Sequence, residues 1–238
     1  MTRTRLEVWL VRPRVPRPDD APFALAELDH AERRQADRFV HPGDRLRYVS
    51  ARIALRRVLA RHTGTAPGRL RFRRASCTRC GGPHGRPELA SYPPPVRFSL
   101  SHSHGLVVIA VAATAVGADV RRSPGGGTVE ACLPALHPTE RAELEGLPES
   151  ARPNAFVRLW TRKEAYLKGT GAGLVHGAAA DYLGAGAPGR PPGWTVIDLD
   201  LAGDRAYAAA VAVRSEKIGS VELRECSASF LSEEAPAE

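Results

Sequence analysis

Apolar and polar positions along this chain switch between a period of two and a period near 3.6, and the switches outline its elements. Residues 5–12 carry the first apolar run and read as a strand. A stretch rich in Glu, Arg and Ala follows at 25–39 and predicts a helix that stops near Pro42 and Gly43. A second helix is predicted over 44–62, with Leu46, Val49, Ile53 and Val58 at roughly helical spacing and Gly64 as its C-cap. Arg45, Arg47, Arg52, Arg56 and Arg61 carry the charge of that helix. Residues 69–74 alternate as a strand, and 77–95 form a loop heavy in Gly and Pro. Two apolar strands at 98–101 and 106–113 meet through the turn His102-Ser-His-Gly105, and a third follows at 116–120.

A Gly-rich linker at 122–128 separates these strands from a helix that opens at Pro138, an N1 position, and runs to Leu147. A longer helix covers 153–169, and Gly169, Gly171 and Gly173 end it in a loop. Residues 195–201, 206–213 and 220–225 read as closing strands of an antiparallel sheet, and the tail 232–238 reads as disordered. The order strand, two helices, strands thus occurs twice. It predicts an α+β fold of two similar lobes, 1–115 and 116–231, each an antiparallel sheet with packed helices and a cleft between them. No repeat is visible at the residue level, so the duplication rests on element order.

Composition changes this picture in two ways. A formal charge of +8 and a pI near 9.8 predict an anionic partner: nucleic acid, a phosphate-rich cofactor or an acidic protein. Only three of the 34 basic residues are lysines, and two of them, Lys163 and Lys168, stand five positions apart. Arginine holds its charge always, whereas lysine can give up a proton and concentrates its charge at a point. No apolar run approaches a membrane span, and the four cysteines come without a secretory h-region, so the chain reads as cytoplasmic and disulfide-free.

Three groups of residues could carry chemistry. Trp160, Glu164 and Lys168, at i, i+4 and i+8, share one helix face, where the plain alternative is a surface ion pair. Asp119 closes an apolar strand where packing gives no reason for a polar residue, and with Glu164 it offers hard oxygen ligands for a divalent cation such as Mg²⁺. Ser101-His-Ser-His104 places hydroxyls, imidazoles and turn N–H groups where they could surround a phosphate or satisfy their own backbone. A Ser/His hydrolase reading fails, since no Gly-x-Ser-x-Gly elbow is present. Cys77-Thr-Arg-Cys80-Gly-Gly-Pro-His84 admits a structural zinc, with a fourth ligand from Cys132, Cys226 or another His, or a solvent loop with reduced thiols. No second Cys-x₂-Cys pair exists, which favours the loop.

Three stretches, in order, resemble the 4′-phosphopantetheinyl transferases of the larger single-chain, surfactin-synthetase-activating class. They are Phe98-Ser-Leu-Ser-His-Ser103, Gly117-Ala-Asp119 and Trp160-Thr-Arg-Lys-Glu-Ala-Tyr-Leu-Lys168. A weaker match runs from about Ala31 to Leu174 and includes Arg38-Phe39, Arg47 and Gly85-Arg86-Pro87.

The resemblance implies a Mg²⁺-dependent enzyme, with Mn²⁺ as a substitute metal, built as two pseudo-twofold lobes with coenzyme A between them. It would move the phosphopantetheine arm of coenzyme A onto a serine of an acyl or peptidyl carrier protein and release 3′,5′-ADP. Asp119 and Glu164 would hold the metal. Ser101, His102 and Arg86 would meet the 3′-phosphate, Arg47 would also contact the cofactor, and Lys163 and Lys168 would lie along the pyrophosphate. Glu164 would accept the serine proton and Lys168 would neutralise or protonate the departing phosphate. The partner would be acidic and would dock around 169–182, and the enzyme would act as a monomer without nucleic acid or membrane.

Two departures stand out. Arg121 occupies the position where the family commonly carries a second acid, and Glu32 and Gln35 stand where relatives place basic residues, leaving Arg33, Arg34 or Arg38 as substitutes. The competing readings are a basic nucleic-acid-binding module that uses the cysteine knuckle, and an inactive family member. Against the first, aromatics make up only 6 % of the chain and do not interleave with basic residues.

Overall fold

The long apolar runs set the architecture. The computed structural model describes residues 4–15, 22–77, 80–90, 96–123, 126–173, 177–186, 191–227 and 229–232. Its elements in chain order are β1 (Thr4–Val11), α1 (His30–Asp37), α2 (Pro42–Thr63), β2 (Phe72–Arg74), β3 (Pro87–Leu89), β4 (Arg97–Ser103), β5 (Leu106–Ala112) and β6 (Val116–Arg122). They continue as α3 (Gly126–Cys132), α4 (Pro138–Glu145), α5 (Arg152–Thr170), β7 (Thr195–Asp198), β8 (Tyr207–Val213) and β9 (Ile218–Cys226). The protein is α+β, as expected. Among the described residues no helix is long and apolar enough to cross a membrane.

Strands β4-β5-β1-β9 form one sheet, β6-β8-β7 a second, and β2 and β3 pair as a short hairpin. Side chains alternate across a strand, and here both faces are covered. Trp9, Val11, Val107, Ile109 and Val111 pack with Ile53, Leu55 and Val58 of α2. Their neighbours Leu6, Val8, Leu10, Leu106, Val108 and Ala110 pack with Val116, Ala118 and Val120 of β6 and Val211 and Val213 of β8. On the far side of β8, Ala210 and Ala212 meet Phe156, Leu159 and Ala165 of α5. The result is four layers: α2, first sheet, second sheet, α5. A strand covered on both faces has no polar side to show, which is why residues 106–112 read as an unbroken apolar run.

The two halves share a topology. In each, the first strand (β1 or β6) pairs with the last strand of a hairpin (β5 or β8), and that strand pairs with its predecessor (β4 or β7). The long helices α2 and α5 close the outer faces, both ending at a left-handed glycine, Gly64 and Gly171.

Several expectations need correction. The helix expected over 25–39 begins at His30, because the Asp29 carboxylate caps the Glu32 N–H while Glu32 reaches back to the Asp29 N–H. Before it, Leu25–Glu27 forms only a 3-10 turn. The stretch 77–95 contains β3, and the linker at 122–128 gives way to α3 at Gly126, with 124–125 outside the described residues. Residues 220–225 do not close an antiparallel sheet in the second half. They belong to β9, which runs parallel to β1, and the turn after it, Phe230 and Leu231, packs in the first core. From 233 onward the expected disordered tail lies outside the described residues. Arg56, one of the arginines read as carrying the charge of the second helix, is 0 % exposed. It bonds Glu32 at 2.7 Å, Asp29 at 2.8 Å and the carbonyls of Pro67 and Leu70. Glu32 is therefore a structural partner of Arg56 and Arg52, which is why an acid stands there.

Candidate active site

The edge of β6 that does not pair with β8 would leave every second N–H unsatisfied. Strand β4 satisfies them with side chains. The hydroxyls of Ser99, Ser101 and Ser103 accept from the N–H groups of Ala118, Val120 and Arg122 at 3.0, 3.4 and 3.0 Å. Alternate serines share a face, so the pattern Ser99-x-Ser101-x-Ser103 builds one continuous seam between the sheets.

On β6, Gly117, Asp119 and Arg121 point toward α5. Gly117 must lack a side chain, since an added Cβ would overlap the carbonyl oxygen of Ala165 and the amide nitrogen of Gly169. That close approach brings the α5 face that carries Glu164 and Lys168 down onto Asp119.

Asp119 is 0 % exposed. Its Oδ1 accepts from Lys168 Nζ at 2.5 Å and from the Ser101 hydroxyl at 2.7 Å, and its Oδ2 accepts from Arg121 Nε at 3.1 Å. The same guanidinium donates through Nη2 to Glu164 Oε1 at 3.3 Å. Arg121 thus spans the two carboxylates and lies between them. Lys168 also bonds Ser101 Oγ at 3.0 Å and the Ala118 carbonyl at 3.2 Å, so all three of its donors are engaged. Burial pushes the Glu164 carboxyl above the ordinary range, and the nearby charge of Asp119 adds to this. Lys168, Arg121 and a bond to Trp160 pull the other way without cancelling it.

His102 points away from Ser101, to the exposed side of β4. Loss of surrounding solvent lowers its pKa, and Lys168, Arg47 and Arg121 lower it further. Arg47, ion-paired with Asp44 on α2, is thereby placed in the same electropositive neighbourhood. Beside this cluster lies a cavity of about 640 Å³ whose wall includes Lys168, Arg86, Arg52 and Arg74. Arg86 donates to the Gly169 carbonyl at 2.8 Å and so ties the 75–86 loop to the end of α5. Across the cavity, Cys77, Cys80 and His84 bring their ligand atoms within 4.8 Å of one another.

The structure therefore brings together Arg47, Arg86, Ser101, His102, Asp119, Glu164 and Lys168. It does not bring in Lys163. That side chain is 1 % exposed on another face of α5, where Nζ bonds Glu140 at 2.6 Å and the carbonyls of Ala178 and Asp181 at 2.5 and 2.8 Å. Positions 163 and 168 differ by five residues, about 140° around a helix, so both cannot face one ligand. Ser101 is also less available than expected, because its single donor is spent on Asp119. Of the expected docking stretch 169–182, Ala178 and Tyr182 are buried and 174–176 lie outside the described residues. Arg33, Arg34 and Arg38 are all exposed around α1. Sequence reasoning named Ser101 but missed the seam it forms with Ser99 and Ser103, and it missed the cavity arginines Arg52 and Arg74. The alternation of serines was a usable signal for the first, but nothing marks two arginines among many.

Comparison with known proteins points to one family. A profile described as the 4′-phosphopantetheinyl transferase superfamily matches residues 115–207, and one described as the N-terminal part of 4′-phosphopantetheinyl transferase matches 15–114. The 4′-phosphopantetheinyl transferase HetI of Nostoc sp. is 32 % identical over 198 residues, 79 % of each chain. The chain belongs to the 4′-phosphopantetheinyl transferase superfamily. A putative 4′-phosphopantetheinyl transferase of Synechocystis sp. is 31 % identical over 178 residues, 72 % of this chain and 67 % of the relative. A 4′-phosphopantetheinyl transferase of Bacillus subtilis is 26 % identical over 150 residues, 63 % of each. The protein is thus a transferase. The cluster around Asp119 lies within the superfamily match, while Arg86 and Ser101 come from the N-terminal one.

Proposed function

We propose that this transferase moves the 4′-phosphopantetheine arm of coenzyme A onto a serine of an acyl or peptidyl carrier protein, with 3′,5′-ADP as the leaving product. The observation that carries this reading is the convergence of Asp119 and Glu164 on one guanidinium, with Lys168 on Asp119 and a cation-walled cavity alongside.

The donor set fits a divalent cation. Two carboxylates from adjacent elements face a shared position that needs positive charge, and Arg121, with 45 % of its side chain exposed, has room to swing out of it. Asp119 and Glu164 would hold Mg²⁺, or Mn²⁺ in its place, and such an ion neutralises pyrophosphate charge and polarises the phosphorus under attack.

The chain's own residues supply the rest. Phosphoryl transfer depends mainly on positioning and charge neutralisation. Arg86, His102 and Arg47 bind the phosphate end of coenzyme A, and the lowered pKa of His102 leaves a neutral imidazole that gains a proton as a phosphate approaches. The carrier serine oxygen forms the new bond to phosphorus while the bond from phosphorus to the 3′,5′-ADP oxygen breaks. Glu164, whose carboxyl is raised, takes the serine proton directly or through a water. Lys168 lies where its charge offsets that of the departing phosphate. The charge of +8 favours encounter with an acidic carrier.

Intact-mass spectrometry of an apo carrier protein incubated with coenzyme A, Mg²⁺ and the enzyme tests this. The expected result is one phosphopantetheine-sized mass increase, lost in folded Glu164→Gln and Lys168→Ala variants. No increase across several acyl and peptidyl carriers would overturn the proposal and mark an inactive member.

A further inference from the structure

The tip of the β2–β3 hairpin holds chemistry that the transfer reaction does not use. Its strands are three residues each, which alone is a marginal hairpin. The loop between them is cinched at its base, where the Ala75 N–H donates to Arg86 O and the Gly85 N–H donates to Ala75 O, both at 2.9 Å. At its tip the Cys77 N–H donates to Gly82 O at 2.7 Å and the Gly81 N–H donates back to Cys77 O at 2.9 Å. Gly81 has φ +72°, a left-handed conformation that lets the chain turn immediately after Cys80. This knuckle folds Cys80 back over Cys77 and sets its sulfur 3.0 Å from His84 Nε2.

The structure assigns a zinc site to Cys77, Cys80 and His84, the fourth position being a water that faces the cavity. Two soft sulfurs and an imidazole select Zn²⁺ over the hard Mg²⁺ expected at the carboxylates. All three ligand atoms lie within 4.8 Å of one another. A tetrahedral zinc spaces such ligands by ~3.5–3.8 Å, so side-chain adjustments of about 1 Å close the shell. Cys80 and His84 are exposed and Cys77 is half-buried, so the ion reaches them without unfolding. Each cysteine releases its proton to solvent as its sulfur bonds to the metal. Arg52, Arg74 and Arg86 line the same cavity. Bound there, zinc cross-links a Gly- and Pro-rich loop and fixes its last residue, Arg86, against the Gly169 carbonyl.

Spectroscopic titration of reduced, metal-depleted protein with Co²⁺ and then Zn²⁺ tests the assignment independently of any transfer activity. The expected result is a thiolate-to-cobalt charge-transfer band with tetrahedral d–d absorption, displaced by one zinc per chain. Cys80→Ser and His84→Ala should weaken zinc binding by roughly a hundredfold or more. His84→Cys, which restores a ligand, should keep it, and so should Asp119→Asn, which leaves the knuckle intact. Zinc should also slow amide hydrogen exchange over 75–86. Folded wild-type protein without the charge-transfer band, or a Cys77→Ser/Cys80→Ser variant that binds zinc as tightly as wild type, would overturn the assignment.

Discussion

Replacing Lys163 with methionine should destabilise the protein without touching its substrates. The ammonium is 1 % exposed and its partner Glu140 is 0 % exposed. Burial lowers the Lys163 pKa, and the pull of Glu140 in the other direction does not make up for it. Methionine keeps most of the packed volume but leaves the Glu140 carboxylate without its counter-ion. Its bonds from the Leu183 N–H at 2.6 Å and the His137 N–H at 3.1 Å remain. The carbonyls of Ala178 and Asp181 lose their donor as well. Breaking a buried ion pair from one side costs ~3–5 kcal/mol. For a chain of this length that lowers the melting midpoint by roughly 10 °C. Adding Glu140→Gln removes the stranded charge, so the double variant should lose less than the two single variants summed. Thermal melts give the stability, and steady-state kinetics well below the midpoint give KM for coenzyme A, which should stay at the wild-type value. An unchanged midpoint with KM raised tenfold would put Lys163 on the substrate and refute the reasoning.

Two further outcomes follow from the same structure. Arg121→Ala should tighten Mg²⁺ binding, because it removes a competing cation from between the carboxylates; a unit charge about 5 Å from a divalent ion costs ~1.7 kcal/mol even at the dielectric of water, or roughly twentyfold in Kd. Calorimetric titration with Mg²⁺ reads this directly, and unchanged affinity would contradict it. Asp198 should make the protein acid-sensitive. Burial alone would raise its pKa, but hydrogen bonds from Arg162 and Arg158 outweigh burial and hold it below the ordinary carboxylate range. A depressed folded pKa gives stability that is fully present above the unfolded value, near 3.9, and lost as pH falls through the folded one. Melting midpoints from pH 7 down to about 2.5 should fall over that window, and less steeply in Asp198→Asn.

Much of this was legible where the information is local. The apolar runs at 106–112 and 207–213, the Gly64 stop and the Pro138 start depend on neighbours a few residues away. The shared face of the candidate site was legible too, since Glu164 and Lys168 at i and i+4 and Asp119 and Arg121 at i and i+2 are each forced to one side. What escaped was non-local or depended on partners. Pairing of β9 with β1 joins residues more than 200 apart, so no pattern within either strand announces it. Arg56 looks like any helix arginine until Asp29 and Glu32 fold over it. Lys163 was grouped with Lys168 by residue type, although helix geometry alone separates them. The span of Arg121 across both acids needed the register between β6 and α5, which the close packing at Gly117 brings about.

The sharpest measurement is the electron paramagnetic resonance of Mn²⁺ titrated into the protein, with and without coenzyme A. If Asp119 and Glu164 share one cation, wild-type protein will bind one strong Mn²⁺, and Asp119→Asn and Glu164→Gln will each abolish that signal while remaining folded. Retention of the bound signal in either single variant would show that the two carboxylates do not hold a common ion.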